Sequence, residues 1–209
     1  ADITRADANA FRDHLLERMQ PNSVLRNVAV VKAAVNYVLS EHSLNIPNVF
    51  NGLKIKGAGA SKDDRHPLTE ADIAVAEPRF MGDPIAWALF ATLVDTGARV
   101  AEVAGLLVQD VDLQGRSLRI SPNTIRGLKT KGSNRVIPLS PRALELLQGF
   151  RQGKEHTEPL FTKYARVRGN DACSAMLMKR LRTVITDKKL TIHSLRHRMK
   201  DKLRNTGCP

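Results

Sequence analysis

The sequence predicts an α+β fold, mainly α-helical with one small antiparallel β-sheet. Three observations carry that reading. Apolar residues recur at three- and four-residue steps over most of the chain, the period of a helix with one buried face. The strand-like runs, Leu113 to Ile120 and Val136 to Leu139, flank a polar and basic connection, as the arms of a hairpin would. No strand–helix alternation repeats along the chain, which argues against a doubly wound parallel sheet. With 209 residues and 42% hydrophobic content, the chain can build one large core or two small ones.

The elements follow in order. Residues 4–19 form the first predicted helix, with Ala8, Phe11, Leu15 and Met19 along one face. Pro21-Asn22-Ser23 reads as a stop and a fresh N-cap. Leu25, Val28, Val31, Val35, Val38 and Leu39 then continue a second helix to about Ser40. Residues 51–66 hold three glycines, mixed charge and few large apolar side chains, so they read as an exposed, mobile connection. The expected organisation is a helical segment at 1–56, a linker at 57–66 and a second domain at 67–209. Two helices alone bury little, and the chain begins at Ala1 rather than at methionine. The first domain is therefore expected to continue upstream.

The second domain opens on Leu68-Thr69-Glu70-Ala71-Asp72, a threonine cap with an acid three residues later. Asp83-Pro84 starts another helix, with proline at the first helical position. Ile85, Ala88, Leu89 and Leu93 are its expected buried stripe, and Gly97 its end. Arg99 to Leu107 reads as a short helix, and Gly115 as a turn. Ser140-Pro141 caps a helix through about Phe150, and further helices fit 172–185 and 193–205.

Charge narrows the function. The net charge of +12 is unevenly placed: residues 1–112 hold 11 Lys+Arg against 15 Asp+Glu, whereas residues 113–209 hold 22 against 6. A half so basic is the electrostatic footprint of a polyanion. Aromatic content of 4% is too low for single-strand stacking platforms, which favours duplex backbone as the partner. No apolar run approaches the roughly 20 residues that span a bilayer, and no basic-then-apolar leader opens the chain. Cys173 and Cys208 match no metal-ligand spacing and read as free thiols of a reducing cytosol. No phosphate-binding glycine loop occurs, so neither metal nor nucleotide cofactor is expected.

Three stretches carry chemistry. Arg99 follows a glycine that can end one helix and itself begins the next, where backbone amides favour an anion. Taken alone it reads more readily as a surface arginine in a turn. From Leu113 to Leu144 stand seven basic residues, Arg116, Arg119, Arg126, Lys129, Lys131, Arg135 and Arg142, and no acid. A solvated hairpin mixes signs; this one suits phosphates, with Arg126, Lys131 and Arg135 as expected DNA contacts. Lys54 and Lys56 could touch a phosphate where the linker crosses DNA, or be solvated charges. His193 and Arg196, three apart, share a helical face. Two guanidiniums can stabilise the added charge of a pentacovalent phosphorus without a metal.

Asp95-Thr96-Gly97-Ala98-Arg99-Val100-Ala101-Glu102, then Lys129-Thr130, then Ile192-His193-Ser194-Leu195-Arg196-His197 resemble, in that order, the signature elements of the tyrosine recombinases, the phage-integrase family. The resemblance runs from Leu68 to Pro209; residues 1–56 resemble more loosely the end of the family's helical core-binding domain. It implies Arg99 and Arg196 on the scissile phosphate, Glu102 in support and His193 as proton-transfer and hydrogen-bonding partner. It also implies a hairpin lysine as general acid on the leaving 5′ oxygen, a role that suits a desolvated amine on a loop. Lys129 fits the Lys-Thr pattern better, whereas Lys131 stands nearer the returning strand.

The resemblance further implies site-specific recombination or integration of double-stranded DNA through a phosphotyrosine, which conserves bond energy and needs no ATP. A tetramer on paired DNA sites, in the cytoplasm and nucleoid of a bacterium carrying a phage or mobile element, would be the setting. One departure matters: no tyrosine follows Arg196. Tyr37 and Tyr164 read as packing residues, so the chain is expected to be truncated before its nucleophile, binding DNA without cutting it. Type IB topoisomerase-like relaxation, which uses a similar cationic set, and non-catalytic DNA binding are the alternatives.

Overall fold

A computed structural model describes residues 3–59, 66–127 and 134–207. The chain divides into two compact units, Ala1–Asp64 and Arg65–Pro209.

The first unit pairs α1 (Arg5–Leu16) with α2 (Pro21–Glu41). Thr4 caps α1 in a capping box with Asp7, which sets the helix start. Pro21 is the first residue of α2 rather than a stop, because its missing N–H falls where a helix has no acceptor to offer. The burial stripe is narrower than expected: Val24 and Val28 are buried, whereas Leu25 and Val38 stay exposed. Tyr37, expected to pack, is 65% exposed. It follows Val28 by nine residues, about half a turn away on the opposite face. The chain after α2 folds back on the helices. Arg5 donates to the Val49 carbonyl at 2.7 Å, Asn48 donates to the Lys32 carbonyl at 3.0 Å, and Phe50 meets Phe11 edge to face. The Gly59 amide still donates to Asn22 at 2.8 Å. The expected mobile connection is thus fastened to the helical unit through Gly59; Lys54 and Lys56 are exposed on it.

The second unit is built around α5 (Pro84–Thr96). Asp83 caps it, accepting from the amides of Ile85 and Ala86. The sequence pattern marks one stripe, but α5 buries nearly every side chain from Ala86 to Thr96 while Ile85 stays partly exposed. The reason is tertiary. Helices α4 (Pro78–Met81), α6 (Val100–Ala104), α7 (Pro141–Gly149), α8 (Gly169–Leu181) and α9 (Ser194–Asn205) all pack against it. A helix surrounded this way loses its polar face. Phe80 and Phe90 stack at 4.0 Å within this core. Helix α3 (Glu70–Ala76) enters through the predicted Thr69–Asp72 capping box. Cys173 is buried on α8, and burial pushes its thiol up to about 12, which makes it unreactive.

Strands β1 (Val111–Asp112), β2 (Ser117–Ile120) and β3 (Arg135–Pro138) form one antiparallel sheet in that order. Leu118 pairs with Ile137 and Ile120 with Arg135, so the basic connection leaves and re-enters beside Arg135. Helix α6 ends at Ala104, shorter than expected, because Gly105 terminates it and the carbonyl of the buried Leu106 accepts from the Leu160 amide.

Candidate active site

The site starts at Gly97. With φ of +58°, it ends α5 in the left-handed region, where other residues are strained. A Cβ there would also stand 2.4 Å from the Met199 side chain, so glycine is what lets α9 approach. Arg196 of α9 donates to the Gly97 carbonyl at 2.8 Å. One turn therefore joins two stretches nearly a hundred residues apart.

Arg99 follows as the N-cap residue of α6. Three residues on, Glu102 is a buried carboxylate, its side chain only 4% exposed. It accepts from the Arg99 amide at 2.8 Å, from the Arg99 guanidinium at 2.8 Å, and from both terminal nitrogens of Arg135 at 3.3 and 2.8 Å. Burial alone would raise the carboxyl, but the Arg135 and Arg99 donors override it and hold its pKa at about 2. Glu102 therefore stays charged and orients two arginines whose outer edges remain partly open to solvent. Arg196 is near enough to feel them. Burial and then the Arg99 charge lower its pKa, and Glu102 partly compensates.

His193 leads into α9 and is exposed, its ring edge-on to His197 at 5.1 Å. His193 and Arg99 wall one open cleft of about 540 Å3, together with Asn170 and Ser174 of α8. The structure thus brings Arg99, Glu102, Arg135, His193 and Arg196 together. Lys129 and Lys131 lie outside the described residues.

Arg126 is a correction. Expected to face DNA, it is 3% exposed. Its guanidinium pairs with Asp110 at 3.2 Å and donates to the backbone carbonyls of Glu102 and Ser121. A buried arginine tied on every side holds the loop to α6; it cannot reach a phosphate. The sequence shows charge, and it hides that Asp110, sixteen residues earlier, would claim it. Tyr164 is buried in the core, as a packing residue. Among the described residues no helix is long and apolar enough to cross a membrane, and no group of His, Cys, Asp and Glu could hold a metal.

The profile of the phage integrase family matches residues 82–209, a span that contains every residue of this cluster. The chain belongs to the phage integrase family. Relatives are tyrosine recombinases. XerC of Pelobacter propionicus is 31% identical over 114 residues, 53% of this chain and 35% of that protein. XerD of Lacticaseibacillus casei is 23% identical over 95% of this chain and 69% of its own length. The fold matches the Tn1549 transposon integrase, solved with a circular intermediate DNA, at a TM-score of 0.75 and 18% identity, covering 100% of this chain and 75% of that one. The XerA recombinase matches at a TM-score of 0.56 and 22% identity, over 98% and 70%.

Proposed function

We propose that the full-length protein recombines DNA at specific sites, cutting and rejoining one strand at a time through a phosphotyrosine. The observation that supports this most is the convergence of Arg99, Arg196 and His193, from stretches far apart in sequence, beside a carboxylate that fixes Arg99. Such a cluster is net cationic and rigid, suited to the charge that gathers on the non-bridging oxygens as phosphorus becomes five-coordinate. A tyrosine oxygen, its proton passed to His193, would attack phosphorus as the bond to the 5′ oxygen breaks. The leaving oxygen would take its proton from the hairpin lysine, Lys129 in preference to Lys131. Reversal by a 5′ hydroxyl rejoins the strand.

Double-stranded DNA is the proposed partner, with a tetramer on paired sites as the working assembly. Arg135, expected to touch DNA, works chiefly through Glu102. Tyr164 is a poor nucleophile here, since burial raises its pKa and it lies outside the Arg99 cleft. The chain as given is therefore proposed to bind duplex DNA and leave it uncut.

Arg99→Ala in the full-length protein is expected to lower cleavage by about 10²–10³-fold with duplex binding largely kept. Undiminished cleavage would remove Arg99 from the mechanism. Comparing recombination with plasmid relaxation on the same protein separates this reading from a topoisomerase-like one.

A further inference from the structure

A second cavity of about 200 Å3 adjoins the Arg99 cleft. The two share Ala101 of α6 and Asn170 of α8 as a common wall. Its floor is tightly built. Gly105 lies where a Cβ would stand 2.9 Å from the Arg126 side chain, and Arg126 is locked to Asp110. Its rim carries Arg166, exposed and, among the described residues, without a side-chain hydrogen bond or ion pair. The loop that presents Arg166 is held firmly. The Gly169 amide donates to the Arg166 carbonyl at 2.8 Å, and a Cβ on Gly169 would run into the Tyr164 carbonyl. The acid beside it, Asp171, pairs with Arg168 at 3.0 Å and accepts from Asn170 at 3.2 Å, and among the described residues no acid is paired with Arg166.

From this geometry, and resting on the DNA-binding reading above, we infer that Arg166 and Asn170 form a second phosphate subsite. It takes the backbone phosphate next to the one held by Arg99, on the same strand. Arg166 supplies the charge and Asn170 the amide hydrogen that it does not give to Asp171, to which it donates at 3.2 Å, while the shared wall fixes the spacing between the two anions. A strand gripped at two neighbouring phosphates cannot slide or roll, so the reacting phosphorus is presented in one register. The subsite reads backbone and carries no sequence preference of its own.

The test uses the 209-residue chain and short duplexes of two unrelated sequences, with affinity measured from about 50 to 200 mM salt. Arg166→Gln is expected to weaken binding roughly tenfold at the low-salt end. It should also flatten the slope of log K against log salt by about 0.9, equally for both sequences. Asn170→Ala should weaken binding less and leave the slope unchanged. Both side chains are exposed, and an unaltered thermal melt confirms that each variant folds. If the unaltered chain binds neither duplex, the DNA reading itself falls. If it binds and Arg166→Gln keeps the original slope, this inference alone is overturned. A loss confined to one duplex would make Arg166 a reader of bases and would overturn the phosphate assignment.

Discussion

The two units of this chain are both helical at their start, yet they are built on different terms. In the first, α1 and α2 bury Ala8, Val24, Val28 and Phe50, while Leu25, Val30, Tyr37, Val38 and Ile46 remain exposed. In the second, α5 is enclosed by five helices and stacked aromatics, and its core runs from Leu68 to Leu195. The difference teaches where precision is needed. A cluster that must hold several cations around one anion requires side chains fixed by packing and by shared carboxylates. A pair of helices with a thin apolar seam leaves most of its side chains at the surface.

Four measurements test this contrast, beginning with the largest effect. Phe90→Ala removes a fully buried ring from its stack with Phe80 and should cost the second unit about 4 kcal/mol. Denaturant unfolding followed at Trp87, the only tryptophan, reports it directly. A loss below about 1 kcal/mol would mean that this core is not the rigid platform described.

Glu102→Gln should destabilise by about 3 kcal/mol, because two arginines lose the carboxylate that neutralises them. The same group sets a pH dependence. Its pKa is about 2 when folded against an ordinary 4.5, so the stability it confers is complete above about pH 4.5 and drains away as pH falls toward 2. The glutamine variant should lack that portion of the acid transition; an identical acid profile would show that Glu102 is not the titrating group.

Gly97→Ala comes next, at about 1–3 kcal/mol, from left-handed strain and the clash with Met199. Since α9 must back away, the hydrogen bond from Arg196 to the Gly97 carbonyl should weaken as well. A variant as stable as the parent would show that α9 does not seat on this turn.

The smallest effect belongs to the first unit. Leu25→Ala, on the exposed side of α2, should change stability by less than about 0.5 kcal/mol. A cost comparable to that of Phe90→Ala would mean that this face is covered in solution, and the contrast between the units would dissolve.

Much of the fold is legible in particular residues. The threonine–aspartate pair at Thr69, the Asp83-Pro84 start, the Gly97 stop and the Ser140-Pro141 cap act within a single turn, so local sequence is enough to place them. The start of α8 at Gly169 was less visible. Arg168 there adopts a left-handed conformation that sequence assigns to glycine or asparagine. Of the candidate site, Arg99, Glu102, His193 and Arg196 stand out through their resemblance to the tyrosine-recombinase signature elements. The fate of Arg126 and the partnership of Arg135 do not, because both depend on acids brought near by folding.

What the sequence determined by itself is the inventory: which turns end helices, which half of the chain is basic, and which cations stand in a recombinase-like order. Only the tertiary structure decided which of those cations remain available. Charge is a property of a residue, but its availability depends on whether folding leaves an edge of it open. Carboxylates pair with both Arg126 and Arg99, yet only Arg126, closed in by Asp110 and two backbone carbonyls, loses its surface; Arg99 stays partly open beside the Gly97 turn that also holds Arg196.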